Sequence, residues 1–299
     1  MRVVGTLRVP DSVSTAGSGT LRVPATRTGD KSNTGEPVNE LICAHNLGYH
    51  YSQPSTTALA GVDFGVDSGQ FVAIMGPNGS GKTTLVKLLL GLLVPTQGTV
   101  TVAGKQPRDA RLEVQQLIGY VPQHESVNAQ IPVNVRDVVG MAAQCRYDGA
   151  LDRKEVRRRV QAALDMVELG DLAGRPYGAL SGGQQQRALI ARALVVDPQI
   201  IIADEPFARV DALSHQNIVN LLKWLSDEKQ VTVLVVVHDV NPLVHILNKV
   251  LLLNTEMVLY GAPTEVLTSA NLLQAYGKVV PILVCDEGFL HPLTEGQHD

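Results

Sequence analysis

The residues best suited to do chemistry form a glycine-rich run at residues 76–84, which fits the G-x-x-x-x-G-K-[ST] pattern of a phosphate-binding loop. An apolar run of strand length precedes it, and residues 85–90 follow with the pattern of a helix. Inward-pointing backbone N–H groups and the positive end of that helix dipole favour an anion, so the unit predicts a site for nucleotide phosphates. The loop consists of Gly76, Pro77, Asn78, Gly79, Ser80, Gly81, Lys82, Thr83 and Thr84.

Two side chains of this loop have specific expected roles. We expect Lys82 to reach the β- and γ-phosphates, and Thr83 to offer its hydroxyl to a Mg²⁺ ion that bridges them. The alternative is a glycine-rich turn that binds nothing, and the Lys-Thr pair and both flanking elements argue against it. The loop alone predicts a nucleotide-binding protein and does not specify the reaction.

A second predicted anion site lies at residues 180–184. Ser181 and Gln184 have the spacing of a capping box, which places Gly182 and Gly183 in the first turn of a helix. Backbone N–H groups there have no partner within the helix. We therefore expect this turn to bind an anion as well.

Two apolar runs typical of buried parallel strands end in residues that can do acid–base chemistry. Residues 200–203 are followed by Asp204 and Glu205, and residues 233–237 by His238. Ligands of α/β sheets bind at the carboxyl ends of parallel strands, so these side chains are expected to converge on the phosphates. A shorter strand at residues 118–121 ends just before Gln123.

Composition excludes several classes of protein. The chain has 299 residues, 44% hydrophobic and 18% charged, with a net charge of −4, so it lacks the basic character of a nucleic-acid binder. No apolar run reaches the ~18 residues of a membrane span, and no signal-peptide core is expected at the N-terminus. The three cysteines are far apart and in no C-x-x-C spacing, which indicates neither a disulfide framework nor a zinc site.

The two ends of the chain differ in character from its middle. Residues 1–38 are rich in Gly, Ser, Thr and Pro and contain a direct repeat, at residues 5–10 and 19–24, so we expect a disordered tail. Near the other end, His291 and His298 are interpreted as part of a frayed polar terminus rather than a metal sensor.

Tyr51 is expected in a polar loop between two paired strands, where it either stacks on a base or is an ordinary half-buried tyrosine.

In this order, these motifs resemble the nucleotide-binding subunit of an ATP-binding cassette (ABC) transporter. The resemblance covers residues 39–277 and implies an α/β fold of the P-loop NTPase class. Its expected parts are a RecA-like parallel-sheet core, an antiparallel β-subdomain and a helical subdomain at about residues 133–195. Residues 278–299 would then form a C-terminal extension.

The resemblance also implies a role for each site residue. Glu205 is expected to polarise the attacking water, His238 to contact the γ-phosphate, and Gln123 to sense Mg²⁺. The implied nucleotide-binding residues are Tyr51, which would stack on adenine, the whole phosphate loop, Ser181, Gly182, Gly183, Gln184 and Asp211. The implied Mg²⁺ ligands are Thr83, Gln123 and Asp204. Arg209 stands where relatives usually have glycine in the loop that crosses the dimer interface, which puts coupling between the two sites in doubt.

The implied partners follow from the same resemblance. Two such subunits, identical copies by expectation, would pair head to tail, each ATP lying between the phosphate loop of one and the Ser181 turn of the other. The pair would sit on integral membrane permease subunits at the cytoplasmic face, served indirectly by an extracytoplasmic substrate-binding protein, with no nucleic-acid partner.

A finer resemblance, to the ATPases of zinc, manganese and iron(II) importers, is carried by residues 131–139, 205–208, 251–254 and 271–277. Two alternatives stay open. The first is another cargo, such as a siderophore or an exported compound. The second is a soluble member acting on ribosomes or DNA, although the chain lacks the second cassette or the long coiled coil usual in those proteins.

Overall fold

The computed structural model describes residues 40–53, 55–123, 133–147, 151–208, 210–255 and 257–293. The strands are β1 (Glu40–Ser52), β2 (Ser55–Asp67), β3 (Phe71–Met75), β4 (Gln97–Val102), β5 (Ile118–Val121), β6 (Ile200–Asp204), β7 (Thr232–Val236), β8 (Lys249–Asn254), β9 (Met257–Gly261), β10 (Ile282–Val284) and β11 (Leu290–Pro292). The helices are α1 (Lys82–Leu89), α2 (Arg111–Leu117), α3 (Val135–Tyr147), α4 (Arg153–Met166), α5 (Gly182–Leu194), α6 (Ala212–Asp227), α7 (Pro263–Val266) and α8 (Ser269–Tyr276).

A six-stranded sheet with the order β5-β6-β7-β3-β8-β9 forms the centre of the fold. The first five strands are parallel, and the last strand in this order, β9, pairs antiparallel with β8. Strands β3, β6 and β7 are buried along their whole length, as expected for apolar runs covered on both faces. Their carboxyl ends lie side by side at one edge, which is where the phosphate loop, the acidic pair and His238 emerge.

A second, antiparallel sheet has the order β2-β1-β4 and packs with α1 against one face of the central sheet. Together the two sheets confirm the predicted α/β class with an antiparallel β-subdomain. The predicted loop around Tyr51 is wrong, because the β1–β2 hairpin continues to the pair Ser52 and Ser55. Polar residues are tolerated in these strands because one face of an antiparallel sheet can face water.

The helical layer consists of α3, α4 and α5, which pack on one another. Helix α4 begins with a side-chain cap, since the Asp152 carboxylate accepts a hydrogen bond from the Glu155 N–H at 2.7 Å. The Glu155 side chain in turn binds Arg158 and Arg159, and these hydrogen bonds lower its pKa to about 2. Arg158 and Arg159 are thus paired with an acidic side chain of the same helix.

Strands β10 and β11 form a small antiparallel hairpin after α8. His291 lies in β11, so the interpretation of this histidine as part of a frayed terminus is wrong. The predicted tail and His298 lie outside the described residues, and the domain boundaries at residues 38 and 277 stay predictions. Among the helices described, none is long and apolar enough to cross a membrane.

Candidate nucleotide site

The phosphate loop between β3 and α1 is packed too closely for side chains at two of its glycines. A Cβ at Gly76 would lie 2.0 Å from the carbonyl oxygen of Leu253, and one at Gly81 would lie 2.4 Å from that of Ala58. Both glycines also have positive φ, at 150° and 97°. Inside the loop, Ser80 is buried and its hydroxyl has no hydrogen-bond partner among the described residues, as expected for a group that is satisfied by a ligand.

Lys82 is the first residue of α1, and its side chain is buried. Its Nζ donates to the carbonyl oxygens of Gly76, at 2.8 Å, and Pro77, at 2.9 Å, so the ammonium group lies inside the curl of the loop. Burial lowers the pKa of Lys82, while the nearby carboxylates of Glu205 and Asp204 oppose that shift. The loop therefore holds a desolvated cation where phosphate oxygens are expected.

Asp204 ends β6 and is buried. Burial raises its pKa, and the adjacent Glu205 charge raises it further, whereas Lys82 and a hydrogen bond from Tyr120 lower it. Tyr120 lies on β5, directly beside Ile202 of β6. Sequence reasoning missed Tyr120, because only the pairing of β5 with β6 brings it to Asp204.

Glu205 lies between two partners at the same edge of the sheet. Its Oε1 is 2.6 Å from Nε2 of His238, and its Oε2 accepts a hydrogen bond from the Gln123 side chain. The backbone of Glu205 has φ 50°, a region that non-glycine residues rarely adopt. Such strain is typical of functional sites, where the surrounding structure holds a side chain in a required direction.

The structure thus brings together the three residues that the sequence predicts to be catalytic. Gln123 follows β5, Asp204 ends β6 with Glu205 after it, and His238 follows β7. These three strands are neighbours in the sheet, and the phosphate loop follows the adjacent β3. The charges of Lys82, Asp204 and Glu205 act on one another, as the pKa shifts above indicate. This edge can bind a phosphate chain and place a carboxylate beside it.

Tyr51 lies on β1 and contacts the helix that follows the phosphate loop. Its hydroxyl is 3.2 Å from Oγ1 of Thr84, and its ring meets that of Tyr49 edge to face with centroids 4.8 Å apart. These contacts fix a half-buried aromatic ring beside the phosphate loop. A ring in this position can cover a purine base.

The capping box at the second predicted anion site forms as the sequence indicates. The Ser181 hydroxyl accepts from the Gln184 N–H at 3.3 Å, and the Gln184 side chain accepts from the Ser181 N–H at 3.1 Å, which completes the capping box. A Cβ at Gly183 would lie 2.4 Å from Oγ of Ser214, whose hydroxyl donates to Asp211 at 2.7 Å.

Asp211 caps α6 through this bond and through the Ser214 N–H, and the two bonds lower its pKa. The turn at Ser181 belongs to the N-terminus of α5, whereas the phosphate loop belongs to β3 and α1. Arg209, on the approach to Asp211, lies outside the described residues.

Comparison with known proteins identifies the family. The family model described as "ABC transporter" matches residues 59–208. The manganese transport system ATP-binding protein MntB of Bacillus subtilis is 41% identical to this chain over 73% of it and 86% of that protein. The chain belongs to the ABC transporter family. Its cassette is also 40% identical to the zinc transport system ATP-binding protein TroB of Treponema pallidum, over 72% of this chain and 80% of TroB.

A solved structure extends the likeness to three dimensions. The ABC cassette resembles the ATP-binding cassette MJ0796, determined as a dimer in a post-hydrolysis state with ADP and Pi. The two are 33% identical with a TM-score of 0.65, over 74% of this chain and 98% of that one. This ABC cassette is therefore an ATPase that binds ATP, and the predicted fold class is confirmed.

Proposed function

We propose that this ABC ATPase hydrolyses ATP at the edge of its central sheet to drive import of a divalent transition-metal ion through a membrane permease. The observation that carries the catalytic part is the placement of Glu205 between Gln123 and His238, beside Asp204 and the phosphate loop. The similarity to the manganese protein MntB and the zinc protein TroB supports the cargo.

Glu205 is the proposed general base. A carboxylate can accept the proton of a water molecule that attacks the γ-phosphate, and the ring of His238 holds that carboxylate in place at 2.6 Å. His238 would donate to the γ-phosphate once Glu205 turns to the water. Lys82 would exchange its two carbonyl partners for phosphate oxygens, which are stronger acceptors because they are charged.

The residues present fit a magnesium ion. Thr83, Asp204 and Gln123 offer hydroxyl, carboxylate and amide oxygens, the hard ligands that Mg²⁺ prefers. Asp204 is a buried carboxylate whose pKa is raised by burial, so a nearby cation would stabilise its charged form. When bound, the ion would neutralise charge that develops on the β- and γ-phosphates.

The turn at Ser181 is the proposed contribution of a second copy. MJ0796 is dimeric in its post-hydrolysis structure, which supports the pairing of two copies of this chain. In a head-to-tail pair the same two surfaces meet twice, which gives two composite sites. The first turn of α5 would bring its N–H groups and the Ser181 hydroxyl to the partner's γ-phosphate. The pair would be held at the cytoplasmic face of the membrane by the permease.

Tyr51→Ala should weaken ATP binding by about 5- to 150-fold, because stacking on a base contributes about 1–3 kcal/mol. Tyr51→Phe keeps the ring and loses only the contact with Thr84, so its ATP affinity should stay close to that of the wild type. Calorimetric titration with a non-hydrolysable ATP analogue measures both. Equal affinities of the wild type and Tyr51→Ala would show that the ring does not contact the base.

Ser181→Ala and Thr268→Ala form a matched pair, since each removes the N-cap of a helix. Both should lower the free energy of unfolding by about 1 kcal/mol. Only Ser181→Ala should also reduce ATP hydrolysis, by about tenfold or more, because it removes a hydrogen bond to a charged phosphate. Chemical denaturation and a phosphate-release assay separate the two effects. Equal rates of hydrolysis by the two variants would show that Ser181 does not contact the nucleotide.

Co-purification tests the transport assignment. The tagged protein is isolated from membranes, and mass spectrometry identifies the multi-span proteins that come with it. A permease, together with a lowered manganese or zinc content in cells that lack the gene, is the expected result. A permease with unchanged metal content would overturn the cargo, and the absence of any membrane partner would overturn the transport role.

A further inference from the structure

The C-terminal hairpin brings Cys285 and His291 close to His245, a third metal-ligating side chain that lies much earlier in the chain. His245 lies between β7 and β8, Cys285 follows β10, and His291 lies on β11. One ligand atom from each of these residues lies within 4.8 Å of the other two. We propose that they form a binding site for a zinc-like divalent cation, separate from the nucleotide site.

The ligand set points to the metal. One thiolate and two imidazoles are borderline-soft donors that suit Zn²⁺, whereas Mn²⁺ and Mg²⁺ prefer oxygen ligands. Zinc accepts three protein ligands with a water molecule in the fourth position. The distances from zinc to the nitrogen and sulfur ligand atoms are about 2.0–2.3 Å. Those bond lengths place one sulfur and two nitrogen ligand atoms about 3.3–3.6 Å apart in a tetrahedron, so the three groups need to approach by about 1 Å.

A carboxylate stands beside the cluster in the position that zinc sites use to orient a histidine. Oε2 of Glu287 is 3.2 Å from Nδ1 of His245. Histidines that bind zinc commonly give their second ring nitrogen to a carboxylate, which fixes the orientation of the ring and makes the ligand more basic. Glu287 is thus the proposed positioning residue of the site.

Contacts within the described residues hold the hairpin against the segment that carries His245. Phe289 packs against the His245 ring with centroids 4.4 Å apart, and the Asn241 side chain donates to the carbonyl oxygen of Pro292 at 2.8 Å. The turn is closed by two backbone hydrogen bonds. The Cys285 N–H donates to the carbonyl oxygen of Phe289, and the Gly288 N–H donates to that of Cys285. The His245 side chain is 44% exposed, which gives an ion a path from solvent.

The site has a consequence for the cassette. Asn241 and His245 belong to the segment that leads from His238 to β8, so a bound ion would join the C-terminal hairpin to the chain just downstream of the proposed γ-phosphate contact. Binding of an ion by His245, Cys285 and His291 does not depend on which ion is transported.

Cobalt is the probe for the test, because Co²⁺ replaces zinc and a cobalt–thiolate bond gives a charge-transfer absorption. The protein is full-length, untagged, stripped with a chelator, kept in a non-thiol reductant and free of nucleotide. We expect one Co²⁺ per chain with a thiolate band, displaced by Zn²⁺ but not by an equal concentration of Mn²⁺. Cys285→Ser should abolish the band, and His291→Ala should weaken Zn²⁺ binding by at least about 100-fold.

Two control variants keep the test specific. Cys145→Ser removes an exposed thiol on α3, and His298→Ala removes the other late histidine, so both should bind Co²⁺ as the wild type does. Unchanged ATP hydrolysis by Cys285→Ser and His291→Ala in the absence of zinc shows that they fold. A wild type without a thiolate band, a band that persists in Cys285→Ser, or equal zinc affinity in His291→Ala overturns the proposal.

Discussion

Glu205→Gln should slow ATP hydrolysis by about 10²- to 10⁴-fold while the protein still binds ATP. The amide keeps the size of the side chain and its ability to lie between Gln123 and His238, but it cannot accept a proton from water. If two copies enclose the ATP as proposed, blocked hydrolysis should leave them paired, so an ATP-bound dimer should accumulate. Phosphate release gives the rate, and light scattering after gel filtration with ATP gives the oligomeric state.

Glu113→Gln is the matched control for this result. Glu113 forms an exposed ion pair with Lys105 on the surface, and such pairs contribute little to stability. Its hydrolysis rate should equal that of the wild type. If Glu205→Gln retained wild-type turnover, the general base would have to be another residue, and the contacts of Glu205 with Gln123 and His238 would be structural only.

Lys82→Met should weaken ATP binding by about 10- to 150-fold, which corresponds to the loss of 1.5–3 kcal/mol from hydrogen bonds to a charged group. Methionine keeps most of the length and apolar volume of the side chain but leaves the phosphates without their buried cation. Burial already lowers the pKa of Lys82, so the ammonium group is poorly solvated before ATP arrives. Binding of phosphate oxygens to this ammonium group therefore costs little further desolvation of the cation.

Lys87→Met tests whether the loss is specific to the loop. Lys87 lies on the same helix, in its last turn, and is exposed. Its substitution removes the same charge from α1 and should leave the Kd for ATP within about twofold of the wild type, because a solvent-exposed charge at this distance is largely screened. Equal losses in the two variants would mean that net charge, and not the contact of Lys82 with the phosphates, determines ATP affinity.

The central sheet could be predicted from sequence because its strands are fully buried apolar runs that end in polar residues. Residues 71–75 and 200–204 form strands as their composition indicates, and α5 begins at the capping box of Ser181. The hairpin of β1 and β2 was predicted too short. Its polar residues resemble a loop in sequence, and only the cross-strand pairing shows that they continue the sheet.

The candidate site was predictable where its residues follow a strand or begin a helix. What could not be predicted are contacts set by the order of strands. Tyr120 reaches Asp204 because β5 pairs with β6, and His245 meets Cys285 and His291 because the C-terminal hairpin folds back on the segment after β7. Spacing along the chain carries no signal for such contacts, which is why the cysteines gave no indication of a metal site.

Whether hydrolysis at Glu205 drives metal import is tested most directly by the uptake of radioactive manganese and zinc in cells whose natural gene is replaced by Glu205→Gln. Uptake of one of these ions should fall to the level of cells that lack the gene, while cells with Glu113→Gln should take it up at the wild-type rate. Uptake of both ions at the wild-type rate in the Glu205→Gln cells would contradict the claim that hydrolysis at this site drives metal import.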